Sequence, residues 1–164
     1  MSFSVSSAAS QGSHADPGHQ IDVADLAGME QVSVTADLHC ASRWTTKDLI
    51  WKGVRTADLV ERFPPPQGCI GALAVAQYGF SANVRIEDLL APTSLLATGR
   101  NGVDLPPEHG APVRLVIPHL YGYKSVKWFR GWEYLLTPRR GFWEERGYHI
   151  VGDAWTGRRY SYEE

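Results

Sequence analysis

Only two of the 164 residues are cysteine, Cys40 and Cys69. One disulfide is all they could form, and it is disfavoured for a chain whose start, Met1-Ser2-Phe3-Ser4-Val5, has neither the basic residues nor the apolar run of a secretory signal. Long hydrophobic runs are also missing. No stretch approaches the roughly 20 apolar residues that span a bilayer, so the sequence reads as a cytoplasmic protein with thiols kept reduced and no membrane partner. Net charge is nearly absent, at −2 with a pI near 6.3, which leaves no electrostatic footprint for nucleic acid. There is no haem or iron–sulfur segment, and no internal repeat.

What is present is apolar and aromatic mass. Hydrophobic residues make up 43% of the chain and there are six Trp, more aromatic surface than a minimal scaffold needs. Residues 1–20 are rich in Ser, Ala, Gly and His and read as a disordered tail; residues 21–164 read as a single domain. A short helix or turn over 21–29 leads into a strand over 31–38. Residues 56–63 have helical spacing and stop at Pro64-Pro65-Pro66, while 69–76 form a continuous apolar run of the kind a buried strand shows. A second short helix fits 86–90. Asn101-Gly102 marks a tight hairpin between 94–99 and 103–105, and strands over 112–117 and 126–136 flank a loop over 118–124. The class is α+β, with more sheet than helix.

Cys40 is the chemical centre of interest. A lone Cys is most often a small buried hydrophobe, but this one sits where a strand ends in a loop, which is where sites are usually built. His109, Arg114, Lys124 and Lys127 lie far downstream and supply bases, so a metal or anion site is the natural reading. A zinc site from Cys40 with His39, His119 and His149 is the weaker alternative, because neither Cys-x-x-Cys nor His-x-x-x-His spacing occurs.

Four ordered motifs carry a resemblance. They are Ala36-Asp37-Leu38-His39-Cys40-Ala41-Ser42-Arg43-Trp44, then Trp51-Lys52-Gly53-Val54, then residues 105–132, then Gly141-Phe142-Trp143-Glu144-Glu145-Arg146-Gly147-Tyr148-His149. Together they resemble the catalytic domain of the sulfite oxidase-type molybdopterin-dependent oxidoreductases, especially the short bacterial members, over about residues 21–160. The resemblance implies a mixed β-sheet domain with short surface helices and a molybdenum–molybdopterin cofactor. It makes Cys40 the thiolate ligand of the metal, and Cys40 and Tyr148 the catalytic pair. It assigns His109, Arg114, Ser125, Val126 and Lys127 to the pterin and its phosphate, and Arg43 and Trp51 to the substrate pocket. Expected partners are a small-molecule substrate and an external electron-transfer partner, with oligomeric state left open.

The resemblance also implies a segment upstream of residue 21 that adds a sheet strand and further pterin contacts, where this chain shows only the expected tail. At Val75-Ala76-Gln77-Tyr78 the chain is more apolar than the family pattern. Those departures keep open a cofactor-free enzyme that binds and converts an organic substrate in the same cavity, or a non-catalytic binding protein.

Overall fold

A computed structural model of the chain describes residues 1–7 and 18–164, and residues 8–17 lie outside what is described here. Two five-stranded sheets dominate. The first has the order His19–Asp22 (β2), Ser2–Ser7 (β1), Phe129–Leu135 (β10), Gly71–Ala76 (β5) and Ser81–Arg85 (β6). In it β1 runs parallel to β10 and the other neighbouring pairs are antiparallel. The second has the order Val32–His39 (β3), Thr45–Arg55 (β4), Leu95–Arg100 (β7) and Val103–Asp104 (β8), with Arg114–Val116 (β9) also paired to β7. Two short helices, Thr56–Arg62 (α1) and Ile86–Leu89 (α2), and several 3-10 turns fill the connections. This is the mixed α+β architecture the sequence implies. No helix among the described residues is long and apolar enough to cross a membrane.

Local chemistry explains most elements. The α1 helix buries Thr56, Leu59 and Val60 on one side and ends before the three prolines, which cannot donate to its last carbonyls. The run Gly71-Ala72-Leu73-Ala74 of β5 is buried throughout, as expected for a strand with neighbours on both edges and cover on both faces. The β7–β8 hairpin turns through Asn101 and Gly102 at φ 53° and 82°, the positive angles a type I′ turn requires.

The tail expectation needs correcting at both ends. Phe3 and Val5 alternate with serines, and their side chains are 1% and 2% exposed. Burial of two such side chains is worth about 1.5–3 kcal/mol each, enough to hold a strand that also pairs in register with β10 and β2. The expected tail residues 8–17 lie outside the described residues. A strand thus occupies the upstream position where the sequence reading placed only a tail. The longest strand, β4, was not anticipated either: Asp48 at φ 55° interrupts its alternation, and the pairing with β3 shifts register there.

The main hydrophobic core lies between the sheets and includes Phe3, Leu96, Leu115, Val126, Phe129 and Trp132. A smaller cluster of Leu49, Trp51, Leu95, Ala97, Leu105 and Val116 covers the other face of the second sheet. Alternation in β9 therefore sends Leu115 into the main core and puts Arg114 and Val116 on the face that carries Trp51. That choice of face places the cationic part of the site.

Candidate active site

Cys40 follows β3 directly and opens a tight turn. Its N–H donates to the Trp44 carbonyl (2.9 Å), and the Arg43 N–H donates back to the Cys40 carbonyl (3.0 Å). Arg43 closes this turn in the left-handed region, at φ 75°. The thiol is free and half-buried, with Sγ 2.9 Å from the Ser42 hydroxyl oxygen. Cys69 is also a free thiol, so the two cysteines form no disulfide.

Three cavities meet at Cys40. The first, about 400 Å³, is walled by Trp51, Arg100, His109, Arg114 and Lys127, with Glu108 its one carboxylate. The second, about 300 Å³, holds Cys40 together with Ser42, Tyr123, Trp143 and Tyr148. The third, about 350 Å³, lies between Cys40, Arg43, Tyr121 and Arg159. A further cavity of about 310 Å³, lined by Gln77, Tyr78 and Ser125 among others, shares Arg114 and Lys127 with the first and Tyr123 and Trp143 with the second. The shared walls make one branched cleft.

The first cavity is built to receive negative charge. Arg114 is 5% exposed, and its guanidinium donates to the carbonyls of His109 (3.1 Å) and Ser125 (2.9 Å). It also lies over the Trp51 ring at 5.1 Å, with Arg100 at 5.7 Å from the same ring. No carboxylate pairs with Arg114 among the described residues, so burial, reinforced by Arg100, lowers its pKa to about 10. Lys127 donates to the Glu108 carbonyl (3.1 Å); burial and then Arg114 lower its pKa. Burial and then Arg100 push His109 below its usual 6.5, with Arg114 and Lys127 acting in the same direction. Three buried N–H groups around the cavity, Trp51 Nε1, Arg100 Nε and Arg114 Nε, have no hydrogen-bond partner. Uncompensated buried cations and orphan donors are unfavourable, and a bound anion relieves both.

Backbone shape keeps the two loops of this cavity together. Gly110 has φ 106°, and a Cβ there would fall 2.8 Å from the Lys127 Cβ, so glycine lets the Lys127 loop lie directly on residues 107–110. Trp128 closes the contact by donating its backbone N–H to the Gly110 carbonyl (3.2 Å) and its indole N–H to the Pro107 carbonyl (2.8 Å).

The residues singled out in the sequence divide among the cavities. His109, Arg114, Lys127 and Trp51 share the first with Cys40, Tyr148 shares the second, and Arg43 stands in the third. Trp51 is both a wall and part of the smaller core, at 1% exposure. Ser125 lines the adjoining cavity, and its Oγ accepts the Ile117 N–H (3.0 Å). The Val126 side chain is fully buried in the main core and lines none of these cavities, which leaves only its backbone for the loop beside Ser125 and Lys127. The zinc grouping also fails. His119 Nε2 pairs with Asp88 (2.8 Å), and His149 Nδ1 accepts from the N–H groups of Val151 and Gly152, so neither joins Cys40. Arg100, Tyr121, Tyr123, Trp143 and Arg159 were missed. For Arg100 a signal existed: it precedes Asn-Gly in a hairpin and pairs across from Trp51.

The comparisons with known proteins agree with this chemistry. Residues 11–143 match the family described as the oxidoreductase molybdopterin binding domain. The chain belongs to that family. It is 42% identical over 127 residues to YuiH, an uncharacterised oxidoreductase of Bacillus subtilis (strain 168), covering 77% of this chain and 64% of the relative. It is 33% identical over 105 residues to the protein-methionine-sulfoxide reductase catalytic subunit MsrP of Xanthomonas campestris pv. campestris, covering 55% of this chain and 32% of the relative. The chain therefore spans less than two thirds of the length of either. Its fold matches the sulfane dehydrogenase SoxCD of Paracoccus pantotrophus with a TM-score of 0.71 at 19% identity, over 83% of this chain and 38% of that one.

The residues present fit the cofactor the family implies. A metal–pterin group with a phosphate needs a soft donor and an anion cradle. Cys40 would supply the sulfur, and the buried Arg114 with its orphan neighbours would supply the positive, unsatisfied surroundings. The cofactor-free alternative rested on an absent upstream strand and on the apolar stretch at Val75-Ala76; the first ground weakens, because β1 adds a strand upstream of residue 21 to the first sheet.

Proposed function

We propose that this chain is the molybdopterin-bearing catalytic part of an oxidoreductase that transfers an oxygen atom at sulfur or nitrogen of a small or organic substrate. The observation that carries it is the position of Cys40, where a cationic cavity with unpartnered donors meets two cavities of different character. The MsrP relative is named as a reductase of methionine sulfoxide, which is chemistry of this class at sulfur.

Cys40 would hold the metal as a thiolate, a soft ligand suited to a centre that changes oxidation state. The bound group supplies two-electron redox chemistry coupled to oxygen-atom transfer. The Ser42 hydroxyl, 2.9 Å from Sγ, can donate to the thiolate and stabilise its charge. Arg114, with Lys127 and His109 beside it, would hold an anionic group of the cofactor, offering a planar fork and a point charge. Ser125 lines the adjoining stretch of the cleft.

On the open side of Cys40, Tyr148 offers a hydroxyl donor to a substrate oxygen, while Tyr123 and Trp143 narrow the approach and exclude water. In the third cavity Arg43 and Arg159 form no ion pair among the described residues, and the buried Tyr121 hydroxyl has no partner, so this flank favours a polar or anionic substrate group. Electrons would pass to or from a separate redox partner.

Protein from a host able to make the cofactor should carry about one molybdenum per chain, and Cys40→Ser should lose it because a hydroxyl is a poor soft ligand. Elemental and pterin analysis decide this. Wild-type protein free of both under cofactor-replete expression would end the proposal.

A further inference from the structure

Two adjacent residues, Tyr123 and Lys124, hold the segment that carries Trp143 and Tyr148. The Lys124 ammonium is completely buried and donates to the Glu144 carboxylate (2.6 Å), the Asn83 carbonyl (2.6 Å) and the Ile150 carbonyl (2.5 Å). Glu144 is equally buried, and the same carboxylate oxygen accepts the Asn83 N–H (2.8 Å). The Tyr123 hydroxyl donates to the His149 carbonyl (2.5 Å). The fixed points at 144, 149 and 150 bracket Tyr148 on both sides. Gly152, at φ 69°, lets the returning chain pass: a Cβ there would lie 2.4 Å from the Tyr123 hydroxyl and 3.3 Å from Lys124 Cε.

A buried ion pair is a poor way to gain stability. Desolvation opposes the attraction, and an apolar pair of similar volume often holds a fold as well or better. What an ammonium with three acceptors on three segments adds is direction. The rings it governs are Tyr123 and Trp143, each 5.3 Å from Tyr148 between centroids, and all three line the cavity that contains Cys40. Ser125 and Lys127 follow Lys124 on the same loop and line the adjoining cavity.

We infer that the buried Lys124–Glu144 pair is a positioning device, which sets the Tyr123, Trp143 and Tyr148 wall of the Cys40 cavity against the loop that carries Ser125 and Lys127. Its consequence for turnover rests on the proposed oxidoreductase function; the placement of the wall does not. Lys124 and Glu144 act through Tyr148 and Trp143, and neither reaches the cavity.

The test compares wild-type protein, purified from a cofactor-competent host, with the double variant Lys124→Met/Glu144→Met. Single replacement of Lys124 strands a buried carboxylate, so the double variant carries the information. Readouts are melting temperature, molybdenum per chain, ring signals from carbon-13-labelled tyrosine, and turnover of dimethyl sulfoxide with a reduced viologen as electron donor. The double variant should remain folded and keep its molybdenum, melting lower than wild type only by what the stranded Asn83 and Ile150 carbonyls and Asn83 N–H cost. Its Tyr148 ring signals should lose the shift caused by the neighbouring rings, and kcat should fall by about tenfold or more while KM stays within about twofold. Unmoved Tyr148 signals in a folded double variant overturn the inference, and moved signals with unchanged kcat overturn its consequence for turnover. Glu144→Gln keeps an acceptor for both Lys124 and Asn83 and should keep the wild-type signals; lost signals there, together with a double variant that does not fold, would assign the pair to stability alone. Wild-type protein without molybdenum defeats the proposed function, while the ring signals still decide the wall.

Discussion

Replacing Arg114 by Met separates a residue kept for its ligand from one kept for the fold. Without an anion, the guanidinium sits in surroundings that lower its pKa from 12.5 to about 10. At about 1.4 kcal/mol per pH unit, the charge in the free protein is therefore unfavourable by roughly 3–4 kcal/mol. Met removes that penalty and keeps the packing over Trp51, but it strands the carbonyls of His109 and Ser125, at about 1–3 kcal/mol each. The terms nearly cancel, and cofactor-free Arg114→Met should unfold within about 2 kcal/mol of wild type. Cofactor retention should change far more. An anion about 4 Å from the guanidinium at an effective dielectric constant near 20 gains about 4 kcal/mol, close to a thousandfold in affinity. Urea unfolding of the cofactor-free proteins gives the first quantity, and molybdenum per chain after extensive dialysis gives the second. A variant that loses more than about 4 kcal/mol of stability yet keeps wild-type molybdenum would make Arg114 structural, and the cavity assignment would fall with it.

Two further outcomes follow from the same geometry. Phe3→Ala should cost about 3–5 kcal/mol in urea unfolding, because the ring is buried against Phe129; a change within about 0.5 kcal/mol would return residues 1–7 to the status of a tail. His109 should titrate below 6.5 in cofactor-free protein, followed by its ring proton signals and assigned with His109→Gln. With the folded value depressed, the unfolded chain binds more protons between that value and 6.5, so His109 makes stability rise with pH through this window and level off above it. An anion in the cavity should move the midpoint upward, and a midpoint at or above 6.5 before loading would contradict the electrostatic reading.

The sequence by itself determined the elements whose signals are local. The α1 helix stops where three prolines must stop it, Asn101-Gly102 turns the hairpin, and the apolar run of β5 declares a buried strand. The four ordered motifs likewise pointed to the family, since each keeps its own spacing. Strand β1 was harder to see, because two apolar residues among serines cannot order themselves and become a strand only with β10 alongside. In β4 the positive φ at Asp48 broke the alternation that would have announced it. The site shows the same division. That Cys40, His109, Arg114 and Lys127 belong together came from the resemblance the four motifs carry; by residue type alone Arg114 and Lys127 read as exposed strand charges. Only the tertiary structure decided that Arg43 stands in a different cavity from Trp51, that Val126 turns into the core, and that Arg100 joins Arg114 over one indole. Which face of a strand a side chain occupies, and which loops meet across two sheets, depends on contacts between residues far apart in the chain, and no local pattern encodes those distances.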